Sequence, residues 1–309
     1  MGVGYGYGKT ILFGEHFVVY GPPAIASAIA SKTTCTVERA GMQELVDDRP
    51  ATPGYKEEKY EQYLDSVKRV LVASSLSPQE LLRITFAGDL KAASGVGASA
   101  ASCAALARAL NEEYKLKYNN EKINEIAYEG EKAYHGTPSG IDNTAAVYGG
   151  LIWFARNMEG GGNSMDRIRI KEPVEIVLGN TGITSSTKEV VADVMKLKKE
   201  NPEKFGKIFE EYTLLASDAR RALEDFNMEK VGALMNQNHK LLQDITVSCK
   251  ELDLLVETAL KEGALGAKLT GTGRGGLMIA LTPGRKLQEK VAKAMEEKGF
   301  TAINTKIGV

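Results

Sequence analysis

Residues 94–111 read SGVGASAASCAALARALN, and no other stretch constrains the fold so tightly. Gly95 and Gly97 carry no side chain, so the backbone N–H groups there can approach a ligand closely. A helix of small residues follows, Ala100 to Leu110, interrupted only by Arg108 and, at its end, Asn111. A helix that is apolar nearly all round is a buried one. A glycine turn feeding a helix N-terminus also aims orphan N–H groups and the positive end of the dipole at one place, where an anion binds. Taken alone, the stretch fits a phosphate cradle. It fits equally a glycine turn that lets an alanine-rich helix pack closely on a sheet.

The chain has 309 residues, 43% of them hydrophobic, which suits one large or two ordinary domains with a sizeable core. Its 39 basic and 40 acidic residues leave a net charge of −1, which gives no electrostatic case for nucleic acid or an anionic membrane. Cys35, Cys103 and Cys249 are far apart, and none forms a CxxC. Disulfides and structural zinc are not expected, and a reducing compartment is. Met1 to Gly8 lacks the basic start and apolar run of a signal peptide, and no apolar run approaches the roughly 18 residues that would span a bilayer. A soluble, cytoplasmic protein is expected.

Along the chain, short strands are predicted from Lys9, over Ala24 to Ile29, over Thr33 to Glu38 and over Leu82 to Phe86. Residues 41–62 read as a polar loop, and Tyr63 to Ser74 as a helix. Asn120 is expected to cap a helix with the stripe Ile123, Ile126, Ala127, Gly130 and Tyr134. A short helix carrying Asp142 restarts after Ser139, and strands follow at Leu151 to Ala155 and Val174 to Leu178. Residues 188–263 read as four charged helices, punctuated at Pro202 with Asn201 as cap, at Asn227, and at Ser248, which fits a capping box with Glu251. Two more strands, Ala267 to Leu269 and Leu277 to Leu281, flank a second glycine loop, 271–276. A helix over 286–298 and a strand over Phe300 to Ile307 close the chain. This order predicts an α+β fold with two lobes, 1–178 and 179–309.

Three separated segments, GKTILFGEH with VVYG from Gly8, GVGASAA from Gly95 and KLTGTGRGG from Lys268, resemble the signature motifs of the GHMP kinases. That superfamily is named for galactokinase, homoserine kinase, mevalonate kinase and phosphomevalonate kinase. A fourth, HGTPSGIDN from His135, is similar to a segment typical of the mevalonate branch. The resemblance covers almost the whole chain. It implies an N-terminal lobe like ribosomal protein S5 domain 2 and a ferredoxin-like C-terminal lobe with extra helices. The activity it implies is ATP- and Mg²⁺-dependent phosphorylation of the primary alcohol of mevalonate to 5-phosphomevalonate. It leaves open another small-molecule kinase of the superfamily, a catalytically silent nucleotide-binding relative, and a homodimer. No nucleic-acid or membrane partner is implied.

Phosphoryl transfer asks mainly for positioning and for neutralisation of phosphate charge. On the resemblance, Ser94, Gly95, Val96, Gly97, Ala98, Ser99 and Ala100 bind the nucleotide. Ser99 and Glu131 offer Mg²⁺ the hard oxygens it prefers. Asp142 is the candidate base, taking or orienting the alcohol proton. Lys9 is the second catalytic candidate, stabilising the charge of Asp142 or charge developing on the phosphate. Lys9, Glu15, His16, Asp142, Thr187 and Gly271 are the substrate-binding candidates. Glu15 and His16 interrupt an apolar stretch, which costs stability unless they are paired. His135 and His239 lack the spacing of a zinc site. The chain departs from the family at Tyr7 (usually Pro), Ala98 (usually Ser), Thr272 and Arg274. Arg274 could clamp a phosphate or face solvent.

Overall fold

The computed structural model describes residues 1–51, 53–91, 95–160 and 162–309. They form two compact units, Met1–Lys9 with Ala28–Gly149, and Thr10–Ser27 with Gly150–Val309. These packing boundaries differ from the expected 1–178 and 179–309 division. Residues 151–155 and 174–180 pair with strands of the second unit and so go with it.

Strand β1 (Gly2–Phe13) begins seven residues before the predicted start at Lys9. Its opening alternation of Gly with Val and Tyr explains this. Gly2, Gly4 and Gly6 are buried, while Val3 and Tyr5 face solvent. A Cβ at these glycines would come within 2.2, 2.1 and 2.2 Å of the carbonyl oxygens of Ala109, Ala105 and Ala101. The strand therefore lies directly on the backbone of the small-residue helix, which only glycine permits.

The first unit continues with β2 (Ala24–Arg39), β3 (Glu44–Asp47), α1 (Tyr55–Glu58), α2 (Tyr60–Ala73), β4 (Leu82–Gly88), α3 (Ala98–Glu113), α4 (Asn120–His135) and α5 (Ile141–Tyr148). β2 is one unbroken 16-residue strand where two were predicted. From Thr33 to Arg39 it pairs antiparallel with β4. β3 runs parallel to β4, inside the stretch read as a loop. Residues 100–107 of α3 are all buried, as a helix apolar on every face requires. Gly130 of α4 lies where a Cβ would meet Cys103 and Val70 at 2.7 Å, so α4 fits against α2 and α3. The cap of α4 is Asn119, accepting from Lys122 N at 2.9 Å, one residue earlier than expected.

The second unit holds Thr10–Phe13 of β1, a 3₁₀ turn at Phe17–Tyr20 and Ala24–Ser27 of β2. It adds β5 (Leu151–Ala155), β6 (Ser164–Ile168), β7 (Val174–Asn180), α6 (Thr187–Glu200), α7 (Pro202–Glu224), α8 (Met228–Asp244), α9 (Lys250–Lys261), β8 (Gly266–Thr270), β9 (Leu277–Leu281), α10 (Arg285–Glu296) and β10 (Thr301–Ile307). The predicted helical block is α6 to α9. Asn227 caps α8. Asn201 stands at the N-cap of α7 but makes no side-chain cap bond. The capping box at Ser248 does not form, because Ser248 Oγ donates to Asp253 and Cys249 takes the cap position. β10, β7, β9 and β8 form an antiparallel run. Phe17 stacks on buried Tyr212 with ring centroids 4.0 Å apart, and Tyr212 donates to Pro23 O at 2.8 Å. Among the described residues, no helix is long and apolar enough to cross a membrane.

Candidate active site

In the first unit, the glycine turn and the helix it feeds are built as the motif suggests. Gly95 and Gly97 have φ of 74° and 72°, a left-handed backbone that favours glycine. The first intrahelical bond of α3 runs from Ala101 N to Gly97 O. The N–H groups of Ala98, Ser99 and Ala100 therefore have no acceptor within the helix. Ser94 lies outside the described residues. Lys9 N donates to Val96 O at 2.8 Å, which fixes β1 beside the turn. A Cβ on Gly97 would stand 3.0 Å from Lys9 Cγ, so the lysine stem crosses the turn closely. Its ammonium reaches Asp142 Oδ1 at 3.1 Å. The structure thus brings Lys9, the glycine turn and Asp142 together.

Asp142 stands in the first turn of α5, after Gly140 at φ 88°. Hydrogen bonds hold this segment on α4, among them Asn143 Nδ2 donating to Asn124 Oδ1 at 2.8 Å and Tyr128 OH donating to Pro138 O at 3.3 Å. The carboxylate is 30% exposed, open enough to meet a ligand.

Glu131 is the unusual group. A glutamate at the edge of the α4 stripe would ordinarily face solvent, yet its side chain is 1% exposed. Burial, and then the negative charge of Asp142, push its carboxyl up to about 8. The Ser99 hydroxyl and Lys9 act in the opposite direction. His135 Nε2 is 3.8 Å from Oε2, whereas the buried Oε1 has no hydrogen-bond partner. Ser99 and Glu131 therefore meet as a pair of hard oxygen donors, one of them unsatisfied. No group of three or more His, Cys, Asp or Glu side chains able to hold a metal occurs among the described residues.

The second unit carries the other candidates. The Glu15 side chain is fully buried and ion-paired with the equally buried Lys268, which also donates to Leu269 O at 2.6 Å. Burial pulls the Lys268 ammonium below its ordinary range, and Glu15 opposes that. His16 Nε2 lies 2.6 Å from Thr272 O, so that nitrogen carries the proton and donates. Burial lowers the His16 pKa, against the Thr272 bond and Glu15. Thr272 and Thr187 share a hydroxyl contact of 2.6 Å. Thr187 is the first residue of α6; Ser186 caps the helix, and Ser185 Oγ donates to Gly273 O at 2.6 Å. Gly271 is exposed at φ 84°. Arg274, open to two readings, pairs with Asp193 and donates to Thr246 O at 3.1 Å. His239 is a structural residue, with Nδ1 accepting from Leu269 N at 3.3 Å and Nε2 facing Asp253 at 3.1 Å.

One residue escaped the sequence reading of the site. Lys268 opens the third glycine motif, but nothing there marks it as the counter-ion of Glu15. The signal for it came from Glu15, an acid inside an apolar run that required a partner.

Residues 63–150 match the family described as GHMP kinases N terminal domain, and residues 219–301 match GHMP kinases C terminal. A mevalonate kinase of Pyrococcus horikoshii is 35% identical over 97% of this chain and 93% of its own. The crystal structure of L. major mevalonate kinase in complex with R-mevalonate superposes with a TM-score of 0.93, at 39% identity, over 99% of this chain and 96% of that one. Mevalonate kinase from methicillin-resistant Staphylococcus aureus superposes with a TM-score of 0.72, at 27% identity, over 100% and 99%.

Proposed function

The chain belongs to the GHMP kinases, among relatives that are mevalonate kinases, and from that premise we propose how its own residues carry out the reaction. It transfers the terminal phosphoryl group of ATP to the primary alcohol of mevalonate, giving 5-phosphomevalonate and ADP, a step in making isoprenoid precursors.

The observation that carries the mechanism is the Lys9–Asp142 pair beside the glycine turn. Asp142 accepts the proton as the alcohol oxygen attacks the terminal phosphorus, or holds that hydroxyl in line. Lys9 stabilises the carboxylate before transfer and the phosphoryl oxygens during it. The free N–H groups at the start of α3 hold the phosphates, where the helix dipole favours negative charge. This arrangement acts through position and charge, as phosphoryl transfer demands. In the second unit, His16, Thr187 and Gly271 are the substrate-binding residues. Glu15 acts behind them, through its ion pair, in setting the turn that presents His16.

Ser99 and Glu131 would hold Mg²⁺. The unpartnered Oε1 of Glu131 and its neighbouring hydroxyl fit an ion that takes one or two protein oxygens and completes its shell with phosphate and water. Once bound, the ion would neutralise charge on the phosphates. A coupled ADP-release assay with mevalonate, phosphomevalonate, homoserine and galactose tests the assignment. Turnover is expected with mevalonate, and its absence there would end this reading.

A further inference from the structure

Arg49 is 7% exposed and belongs to no part of the site described above. Its Nε and Nη2 donate to the two carboxylate oxygens of Asp47 at 2.8 and 2.6 Å, a bidentate fork that fixes the guanidinium plane. Lys56 Nζ donates to Asp47 O at 2.6 Å, so the acid is itself held. The guanidinium lies over the Phe86 ring, 5.3 Å from its centroid. Its remaining arm, Nη1, donates to Ser102 Oγ and reaches Ala98 O at 3.4 Å. Ser102 Oγ in turn donates to Ala98 O at 2.8 Å.

Ala98 is the first residue of α3 and follows Gly97 directly. Its carbonyl lies four residues before Ser102, so the helix supplies it an acceptor role without help. The two further donors restrain the peptide. The charge of the guanidinium is balanced by Asp47, so what it brings to the first turn is a set of fixed donors. In front of a polyanion, a turn fixed beforehand favours the bound state.

We propose that Arg49 is a positioning residue for the nucleotide, clamping the first turn of α3 through Ser102 and Ala98 and so aiming the N–H groups of the phosphate loop. The proposal rests on the reading of residues 95–100 as that loop. The two are separated by measuring equilibrium binding of a fluorescent ATP analogue to the wild-type chain and to Arg49→Lys, Arg49→Met and Gly97→Ala, with steady-state KM values for both substrates. Arg49→Lys keeps the charge and loses the fork. It is expected to weaken nucleotide binding about tenfold, the factor that about 1.4 kcal/mol represents, and Arg49→Met more. KM for mevalonate is expected to stay within about twofold in Arg49→Lys, a split that a general loss of stability does not produce. If Gly97→Ala weakens binding and both Arg49 variants bind like wild type, the role of Arg49 is refuted and the loop stands. If none of the three weakens binding, the loop reading itself fails. If Arg49→Lys raises both KM values equally along with a lowered Tm, Arg49 is a packing residue only. Should Arg49→Met fail to fold, Arg49→Lys decides alone.

Discussion

Replacing Glu131 by Gln should make the first unit more stable at alkaline pH while damaging the enzyme. The substitution keeps the side-chain shape and an oxygen for Ser99, and removes the charge. In the unfolded chain the carboxyl ionises near 4.5, and in the fold burial with Asp142 moves it to about 8. Between those values the folded protein binds the additional proton, so stability falls as pH rises. The favourable contribution of the protonated group is complete below about 4.5 and is lost as pH climbs through about 8. At 1.36 kcal/mol per pH unit, the rise corresponds to about 5 kcal/mol. Gln cannot titrate, so its stability advantage over wild type should grow by several kcal/mol from about pH 5 to about pH 9. Urea unfolding followed by circular dichroism, without Mg²⁺ or nucleotide, measures the difference at each pH. Parallel stability profiles for the two proteins would refute the reasoning, because a carboxylate that ionises normally leaves no such divergence. The same variant is expected to need more Mg²⁺ for half-maximal turnover.

Two further outcomes are expected. Asp142→Asn should lower kcat by about 10²- to 10⁴-fold, the range general acid–base groups contribute, while the circular dichroism spectrum stays that of wild type; near-normal turnover would remove Asp142 as the proton acceptor. Lys268→Met should destabilise the protein by about 3–5 kcal/mol, because it strands a buried carboxylate. Adding Glu15→Met in the same chain should recover most of that loss in urea denaturation.

The glycine turn and the buried helix behind it were legible because their features are local. A glycine pair followed by residues too small to specify anything except burial implies both a close backbone approach and an enclosed helix, and residues 100–107 are indeed all buried. The four helices between 187 and 261 were legible for a related reason, since a 3.6-residue period needs no partner to be seen. What stayed hidden depended on partners far along the chain. The strand over Gly2–Lys9 has no strand signal of its own until the helix against which its glycines lie is present. β3 is a four-residue segment made into a strand by parallel pairing with β4. Ser248 has the sequence of a capping residue, but Asp253 competes for its hydroxyl and the cap moves to Cys249.

The site shows the same division in its charges. Glu15 and Glu131 are both carboxylates with buried side chains, and the chain treats them differently. Glu15 interrupts an apolar run, so its need for a counter-ion could be read from sequence, and Lys268 supplies one. Glu131 sits at the edge of an amphipathic helix, where sequence gives no reason to expect burial. The nearby ammonium of Lys9 is engaged by Asp142, and one Glu131 oxygen is left without a partner. A buried carboxylate in that condition destabilises the fold whenever it ionises. A chain gains nothing in stability from keeping it, whereas Gln or Leu would serve the packing. Beside Ser99, at the start of a helix whose first N–H groups have no acceptor within it, the carboxylate fits the use proposed for it, a divalent cation meeting the unpartnered Oε1.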